Sequence, residues 1–403
     1  MHFTHHEGQL RIRLCDSQGN PMCHKAIAAD QVNSEFLFGC GAFDAVALYQ
    51  KCGGQPTEQL SRRLENWLRL FNYGTIPFYW GRYEPVEGQP IEDITIKAAQ
   101  YMQDRGVVLK GHPLCWHTAC ADWLMAYPND EILRKQIARI HRDVAAFAGK
   151  IDKWDVINEV VIMPIFDKYD NAITRICNEY GQVGLVKRVF DAARETNPNA
   201  TLLINDFNTS PAYERLLEQL LEAGVSISAI GIQSHQHQGY WGAEKVHDVL
   251  RRFSRFGLPL HFTENTLISG ELMPGYIEDL NDWQVESWPS TPQGEERQAR
   301  EMAEMFDILY AHPAVEAITI WDPCDGAWLG APSGVMHADG TPKPVYDALM
   351  ERIHGSWETH TTIVTDENGC AVLNGTKGTY TLTAEKTKHT VTLGSDGECT
   401  LTL

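Results

Sequence analysis

The sequence predicts an α/β fold, a (β/α)8 barrel flanked by a small accessory β-sandwich built from N- and C-terminal strands. Three observations predict it. Eight short, nearly all-apolar runs alternate with segments of helical periodicity between residues 36 and 355. Polar residues gather at the C-terminal ends of those runs, where a parallel barrel carries its reactive groups. Residues 1–35 and 356–403 have strand-like patterning and no helical signal.

The chain opens on short strands: GQLRIRL, a turn at Ser17-Gln18-Gly19-Asn20-Pro21, then KAIAADQV. The eight runs follow as FLFGCGAF (36–43), FNYGTIPFYW (71–80), VVLKGHPLCWH (107–117), KWDVINEV (153–160), TLLINDFN (201–208), ISAIGIQSHQH (227–237), LPLHFTENTL (258–267) and AITIWDP (317–323). Runs this apolar suit strands covered by helices on one side and a packed interior on the other. Between them lie helical patterns such as Leu60, Leu64, Trp67, Leu68, Phe71 and Leu216, Leu217, Leu220, Leu221. Gly106, Gly224 and Gly257 each stand where a helix must close before the next strand, a place for a left-handed cap. The last helix is expected in VYDALMERIHGSW. After residue 356, alternating Thr, Val and Leu with Asn-Gly, Lys-Gly and Asp-Gly turns predict antiparallel hairpins. So short a tail makes too small a core by itself, so it is expected to pack with the N-terminal strands.

Composition narrows the partners. Lys and Arg total 34 against 53 Asp and Glu, a net charge of −19, which argues against nucleic-acid backbones and anionic membranes. No apolar run is long enough to span a bilayer. The N-terminus MHFTHHEGQLRIRL carries no signal-peptide pattern, so the expected location is cytoplasmic, or secreted if a leader has been removed. The ten cysteines form no Cys-x-x-Cys pair and read as reduced thiols.

The strand ends hold the chemistry. Run 3 closes with His112, Trp116 and His117, and run 4 with Asn158 and Glu159. Run 5 closes with Asn205, Asp206 and Asn208, and run 6 with Gln233, His235 and His237. Run 7 gives Glu264, and run 8 with the residues just after it gives Trp321, Asp322 and Asp325. Carboxylates on strands four and seven face each other across a barrel mouth, an arrangement suited to glycosidic cleavage by a protonated acid and an ionised partner. Trp80, Trp116, Trp321 and Trp328 stand at strand ends or in the loops after them, where an indole can stack on a sugar. Trp67 and Trp123 read as core. His112, His117, His235 and His237 raise the alternative of a metal hydrolase. Run 1 lacks the His-x-His such barrels carry, so no metal and no cofactor is expected.

WDVINE resembles the acid/base motif of glycoside hydrolase family 10, the retaining xylanase-type barrels, and GHPLCWH is similar to that family's strand 3 motif. GIQSHQH, HFTEN, WDPCDGAW and KPVYDAL resemble its strand 6, strand 7, strand 8 and final-helix patterns, in order, over residues 36–355. The resemblance implies Glu159 as acid/base, Glu264 as nucleophile, and Asn158 on the 2-hydroxyl of the reacting sugar. It implies Gln233 and His235 as orienting groups near Glu264. His112 and Trp116 would line the subsite of the cleaved sugar, with Trp321 and Trp328 over it. The implied substrate is a β-1,4-xylan-type polysaccharide or oligosaccharide. An exo-acting enzyme on short or decorated glycosides and a non-catalytic carbohydrate-binding barrel are the alternatives.

Two departures bear on substrate. Where the family has a Glu-Asn pair and a lysine after strand 2, this chain reads Thr75-Ile76-Pro77-Phe78-Tyr79-Trp80-Gly81-Arg82. Glu264 is followed by Asn265-Thr266 where Leu-Asp is usual. The loop from Leu267 to Gly294 is long, contains Tyr276, Trp283 and Trp288, and is expected to shape one end of the cleft.

Overall fold

The computed structural model describes residues 4–402. Two strands lead, β1 (Glu7–Cys15) and β2 (Ala26–Ser34). Nine follow: β3 (Leu37–Gly41), β4 (Tyr73–Pro77), β5 (Val108–His112), β6 (Lys153–Asn158), β7 (Thr201–Asp206), β8 (Ala229–Ile232), the two-residue β9 (His235–Gln236), β10 (Leu260–Leu267) and β11 (Val315–Ile320). The chain ends in β12 (His360–Val364), β13 (Cys370–Thr376), β14 (Gly378–Ala384), β15 (Thr387–Leu393) and β16 (Asp396–Thr402).

Eight of the nine middle strands close a parallel barrel in the order β3-β4-β5-β6-β7-β8-β10-β11, with β11 joined back to β3. These are the eight strands the apolar runs predict. Their burial is continuous: every residue of β10 is buried, as are all but the first of β6 and β7. Interior contents and outer helices together dry both faces.

The helices follow their apolar stripes. Glu58–Leu70 starts at Thr57, whose side chain accepts from the Leu60 amide, and buries Leu60, Leu64, Trp67 and Leu70. Pro211–Glu222 is capped by Ser210 and buries Tyr213, Leu216, Leu217 and Leu220. Gly106, Gly224 and Gly257 have φ of 79°, 72° and 68°, the left-handed turn that ends a helix where a Cβ would be strained. The last helix, Pro344–Glu351, continues into a wider π turn over Arg352–Ser356.

Two packing details fix the barrel mouth. A Cβ on Gly111 would lie 2.1 Å from the Trp154 ring, so glycine in β5 lets that fully buried indole lie against its neighbour. Arg139, buried in the helix Asn129–Ala146, donates to the carbonyls of Leu114 at 2.7 Å and Pro113 at 3.3 Å, and to that of Phe78. One guanidinium thereby holds the segments that leave β4 and β5.

A second compact unit comprises the chain up to Phe38 and from Asp347 onward. In it β1 lies between β13 and β16, while β2 lies between β12 and β14 and β15 follows β14. Burial alternates along β1 and β14, as in sheets with one dry face. Those faces share one core of Leu10, Ile12, Leu14, Ile27, Leu373, Tyr380, Leu382, Leu393 and Leu401. All ten cysteines are free thiols, and no helix among the described residues is long and apolar enough to cross a membrane.

Candidate active site

Glu159 follows the last residue of β6, with a positive φ of 58° and its amide donating to the Asn205 carbonyl at 2.8 Å. A non-glycine residue in this conformation is held by its surroundings and turns its side chain out of the strand's regular alternation. Its Oε2 accepts from the Trp116 indole at 2.9 Å. Its Oε1 accepts from Gln233 at 3.0 Å and Asn158 at 3.3 Å. Burial pushes its pKa up to about 8, with Glu264 and Asp206 adding negative charge nearby; the Gln233 and Trp116 hydrogen bonds oppose the rise only in part. Both the direction and its cause favour the protonated acid.

Glu264, within β10, is its counterpart. Its Oε1 accepts from Asn205 at 2.7 Å and its Oε2 lies 3.0 Å from Nε2 of His235. Burial raises its pKa, but His112, the His235 hydrogen bond and Lys110 outweigh that and hold it below the ordinary value. Two glutamates on facing strands are thus driven to opposite protonation states.

A polar chain supports the pair. Asp155 forms an ion pair with Lys110, its oxygen 2.6 Å from Nζ, and lies 2.7 Å from Nδ1 of His112. All three are buried, and Nδ1 of His112 stands 4.0 Å from Glu264. Asn205 gives its amide to Asn158 at 2.9 Å as well as to Glu264, while its carbonyl accepts from Thr263 at 2.6 Å. A Cβ on Gly231 would stand 2.4 Å from that carbonyl oxygen, so the glycine of β8 leaves room for Asn205 to reach across. Gln233 bonds both Asn158, at 3.1 Å, and Glu159.

Aromatic rings wall the carboxylates. Trp321 meets His112 edge-on at 5.2 Å, and Trp328 tilts onto His235 at 4.6 Å. Trp116 faces Tyr79 at 5.6 Å and His112 at 6.2 Å. Glu159, Glu264, Asn158, His112, Trp116, Gln233, His235, Trp321 and Trp328 therefore belong to one connected cluster at the barrel mouth.

Trp80, expected from the sequence in the cleft, is elsewhere. It opens the short helix Trp80–Tyr83, is buried, donates to the buried carboxylate of Glu84 at 3.0 Å, meets Trp123 edge-on and has the Arg139 guanidinium over its ring. β4 stops at Pro77, and the turn into that helix sends Trp80 inward and Tyr79 toward the site. Tyr79 packs 5.8 Å from His112 with the Arg82 guanidinium 5.5 Å from its ring. Sequence reading also passed over Asp155, Lys110 and Thr263, interior positions with no strand-end signal, and gave Asn205 no role although it closes a strand.

The histidines raised for a metal have other partners. His112 and His235 serve the carboxylates, His117 packs on Phe166 at 4.5 Å, and His237 lies under Trp328 at 5.0 Å. Burial takes the pKa of His117 to about 4 and that of His237 to about 3. Among the described residues no group of three or more His, Cys, Asp or Glu is placed to hold a metal.

A closed parallel barrel with two glutamates driven to opposite protonation, one just past its fourth strand and one within its seventh, has the architecture of a glycoside hydrolase. The chain belongs to glycosyl hydrolase family 10, whose sequence profile matches residues 80–352. The match begins after β4, so it leaves out the strand whose sequence departs from the family pattern. An endo-1,4-beta-xylanase/feruloyl esterase of Xylanibacter ruminicola is 25% identical over 304 residues, 65% of this chain and 39% of that protein. A beta-1,4-xylanase of Dictyoglomus thermophilum is 28% identical over 242 residues, 57% of this chain and 64% of that protein. The chain thus spans less than two thirds of either relative. A family 10 structure from Paenibacillus barcinonensis superposes with a TM-score of 0.64 at 22% identity, covering 79% of this chain and 95% of that one. Xylanase 10B from Thermotoga petrophila, solved with xylobiose, gives 0.64 at 22%, with coverage of 80% and 95%. At these identities the structural likeness is one of fold.

Proposed function

We propose that the protein hydrolyses β-1,4-linked, xylan-type carbohydrate with retention of configuration, Glu159 acting as acid/base and Glu264 as nucleophile. The observation that carries this reading is the pair of glutamates just past β6 and within β10, Glu159 held by Trp116 and Gln233 and Glu264 by Asn205 and His235, in surroundings that push the first pKa up and the second down. In the first step Glu264 attacks the anomeric carbon as the glycosidic C–O bond breaks, and Glu159 gives its proton to the departing oxygen. In the second, Glu159 takes a proton from water, the water oxygen bonds to the anomeric carbon, and Glu264 leaves as carboxylate. Asn158, fixed by Asn205 and Gln233, is set to bind the 2-hydroxyl, and Trp321 and Trp328 to cover the sugar ring. The naming of the relatives as xylanases supports the substrate class.

One feature favours a second reading, action on short or decorated glycosides from the chain end. Lys168, in the segment after β6, bonds both Asp279 and Asp282, in the segment after β10, at 2.6 Å each. The loop after β10 is also tied to the segment after β9, through Gln238 to the carbonyls of Pro274 and Ile277 at 3.0 and 2.7 Å. Loops linked in this way at the C-terminal ends of the strands would restrict an extended chain more than unlinked ones. Digests of xylan and of defined xylo-oligosaccharides, followed by product length and by the anomer first formed, test both readings. Mixed internal fragments of β-configuration support the first reading, single units from one end support the second, and an α-anomer as first product contradicts both.

A further inference from the structure

β9 pairs with the end of β10 and sets Thr266 opposite His235. Three groups converge on the Thr266 hydroxyl: the Gln236 amide at 3.2 Å, Nδ1 of His235 at 3.3 Å and Nδ1 of His237 at 3.2 Å. A hydroxyl has one proton and two lone pairs. The amide N–H occupies one lone pair, so one imidazole receives the hydroxyl proton and the other donates to the remaining lone pair.

Two constraints decide between them. Nε2 of His235 lies 3.0 Å from the ionised Glu264 and so carries hydrogen. His237 is fully buried and neutral, with its pKa driven to about 3, and its Nε2 has no hydrogen-bond partner among the described residues. An orphaned buried N–H is the costlier defect, which puts the one proton of His237 on Nδ1, donating to Thr266. The proton of Thr266 is then left for His235.

We infer that Thr266 donates its hydroxyl proton to Nδ1 of His235 and fixes that ring as the neutral tautomer whose Nε2–H supports Glu264. Thr266 is a positioning residue for the reaction proposed above, on which this role rests. The groups facing His235 are the Glu264 carboxylate from β10, His237 from its own segment and the indoles of Trp321 and Trp328 from the chain after β11. Among the described residues, Nδ1 meets the Thr266 hydroxyl and the carboxylate stands at Nε2. The chemistry benefits, because Glu264 loses its negative charge as it bonds to the sugar. A neutral donor orients the carboxylate without holding it as an ion as firmly as a cation would.

The test uses the full chain labelled with 15N-histidine, in wild-type form and as Thr266→Ser and Thr266→Val. Long-range 1H–15N spectra near neutral pH are expected to show His235 with protonated Nε2 and bare Nδ1 in wild type and T266S. T266V, which lacks the donor, should show a mixed or doubly protonated ring. Its kcat on an aryl β-xylobioside should fall about tenfold with little change in KM, and T266S should retain most of the wild-type rate. A protonated Nδ1 in wild type would overturn the inference, as would a T266V variant with unchanged spectrum and kcat. The spectra do not depend on turnover. A wild-type protein with the expected tautomer and no activity on any glycoside would tell against the functional reading, not against the tautomer.

Discussion

Asn205 and Glu264 are joined across the barrel interior: the amide of Asn205 at the end of β7 donates to Oε1 of Glu264 on β10 at 2.7 Å. The same amide reaches Asn158, so one side chain sets both the nucleophile candidate and the group set for the 2-hydroxyl. Asn205→Ala is expected to lower kcat by about ten- to a hundredfold, the range for losing a hydrogen bond to a charged group. Steady-state kinetics on an aryl xyloside give the value, and an unchanged kcat would remove Asn205 from the account.

The pH profile should be a bell. The proposed mechanism requires Glu264 ionised and Glu159 protonated. The acid limb therefore falls below the ordinary glutamate value of 4.5, and the basic limb follows ionisation of Glu159 near pH 8. Trp116→Phe removes a donor that favours the Glu159 anion, so its basic limb should move up in pH. A downward move would contradict the assignment.

Lys110 and Asp155 form a fully buried ion pair. Lys110→Met leaves the carboxylate without its cation and should cost about 3–5 kcal/mol of stability, measured by urea unfolding. Asp155 is held below 3.8 because Lys110 and His112 outweigh its burial. That contribution is complete above the unfolded value and is lost as pH falls through the lower folded one. The difference between wild type and variant should therefore shrink in acid.

Tyr79 and Trp80 should separate binding from stability. Tyr79→Ala is expected to raise KM about tenfold with a small change in melting temperature. Trp80→Phe, which strips a donor from buried Glu84, should cost about 1–3 kcal/mol and leave KM alone. The reverse pattern would return Trp80 to the cleft.

Lys168→Ala opens the link between the loops after β6 and β10. If those loops limit the leaving group, kcat/KM on polymeric xylan should rise about threefold or more relative to a short aryl glycoside, and salt should do the same to wild type, since both partners are partly exposed. An unchanged ratio would count against the chain-end reading.

The barrel was legible because its strands are buried on both faces, which leaves apolar stretches such as Leu202-Leu203-Ile204 with polar residues only at their edges. Glu159 and Glu264 stood out because a carboxylate beside or within such a run is conspicuous. Trp80 was misplaced because the identity of the inward ring depends on where β4 stops and a four-residue helix begins, and periodicity does not carry that register. Asn205 was visible as a strand-end amide, but its reach to Glu264 depends on Gly231 one strand away. The partners of Thr266 were hidden for a similar reason: β9 has two residues, too few to leave a pattern, yet its pairing with β10 sets His235 against the threonine.

The central claim is that Glu264 forms a covalent bond to sugar while Glu159 supplies the proton. Incubation with a 2-deoxy-2-fluoro xylobioside bearing an activated leaving group, followed by intact-mass and peptide analysis, tests it directly. The account predicts one added glycosyl unit on the peptide that carries Glu264 and none in Glu264→Ala. A label on any other residue, or hydrolysis of ordinary substrate by Glu264→Ala at near the wild-type rate, would contradict it.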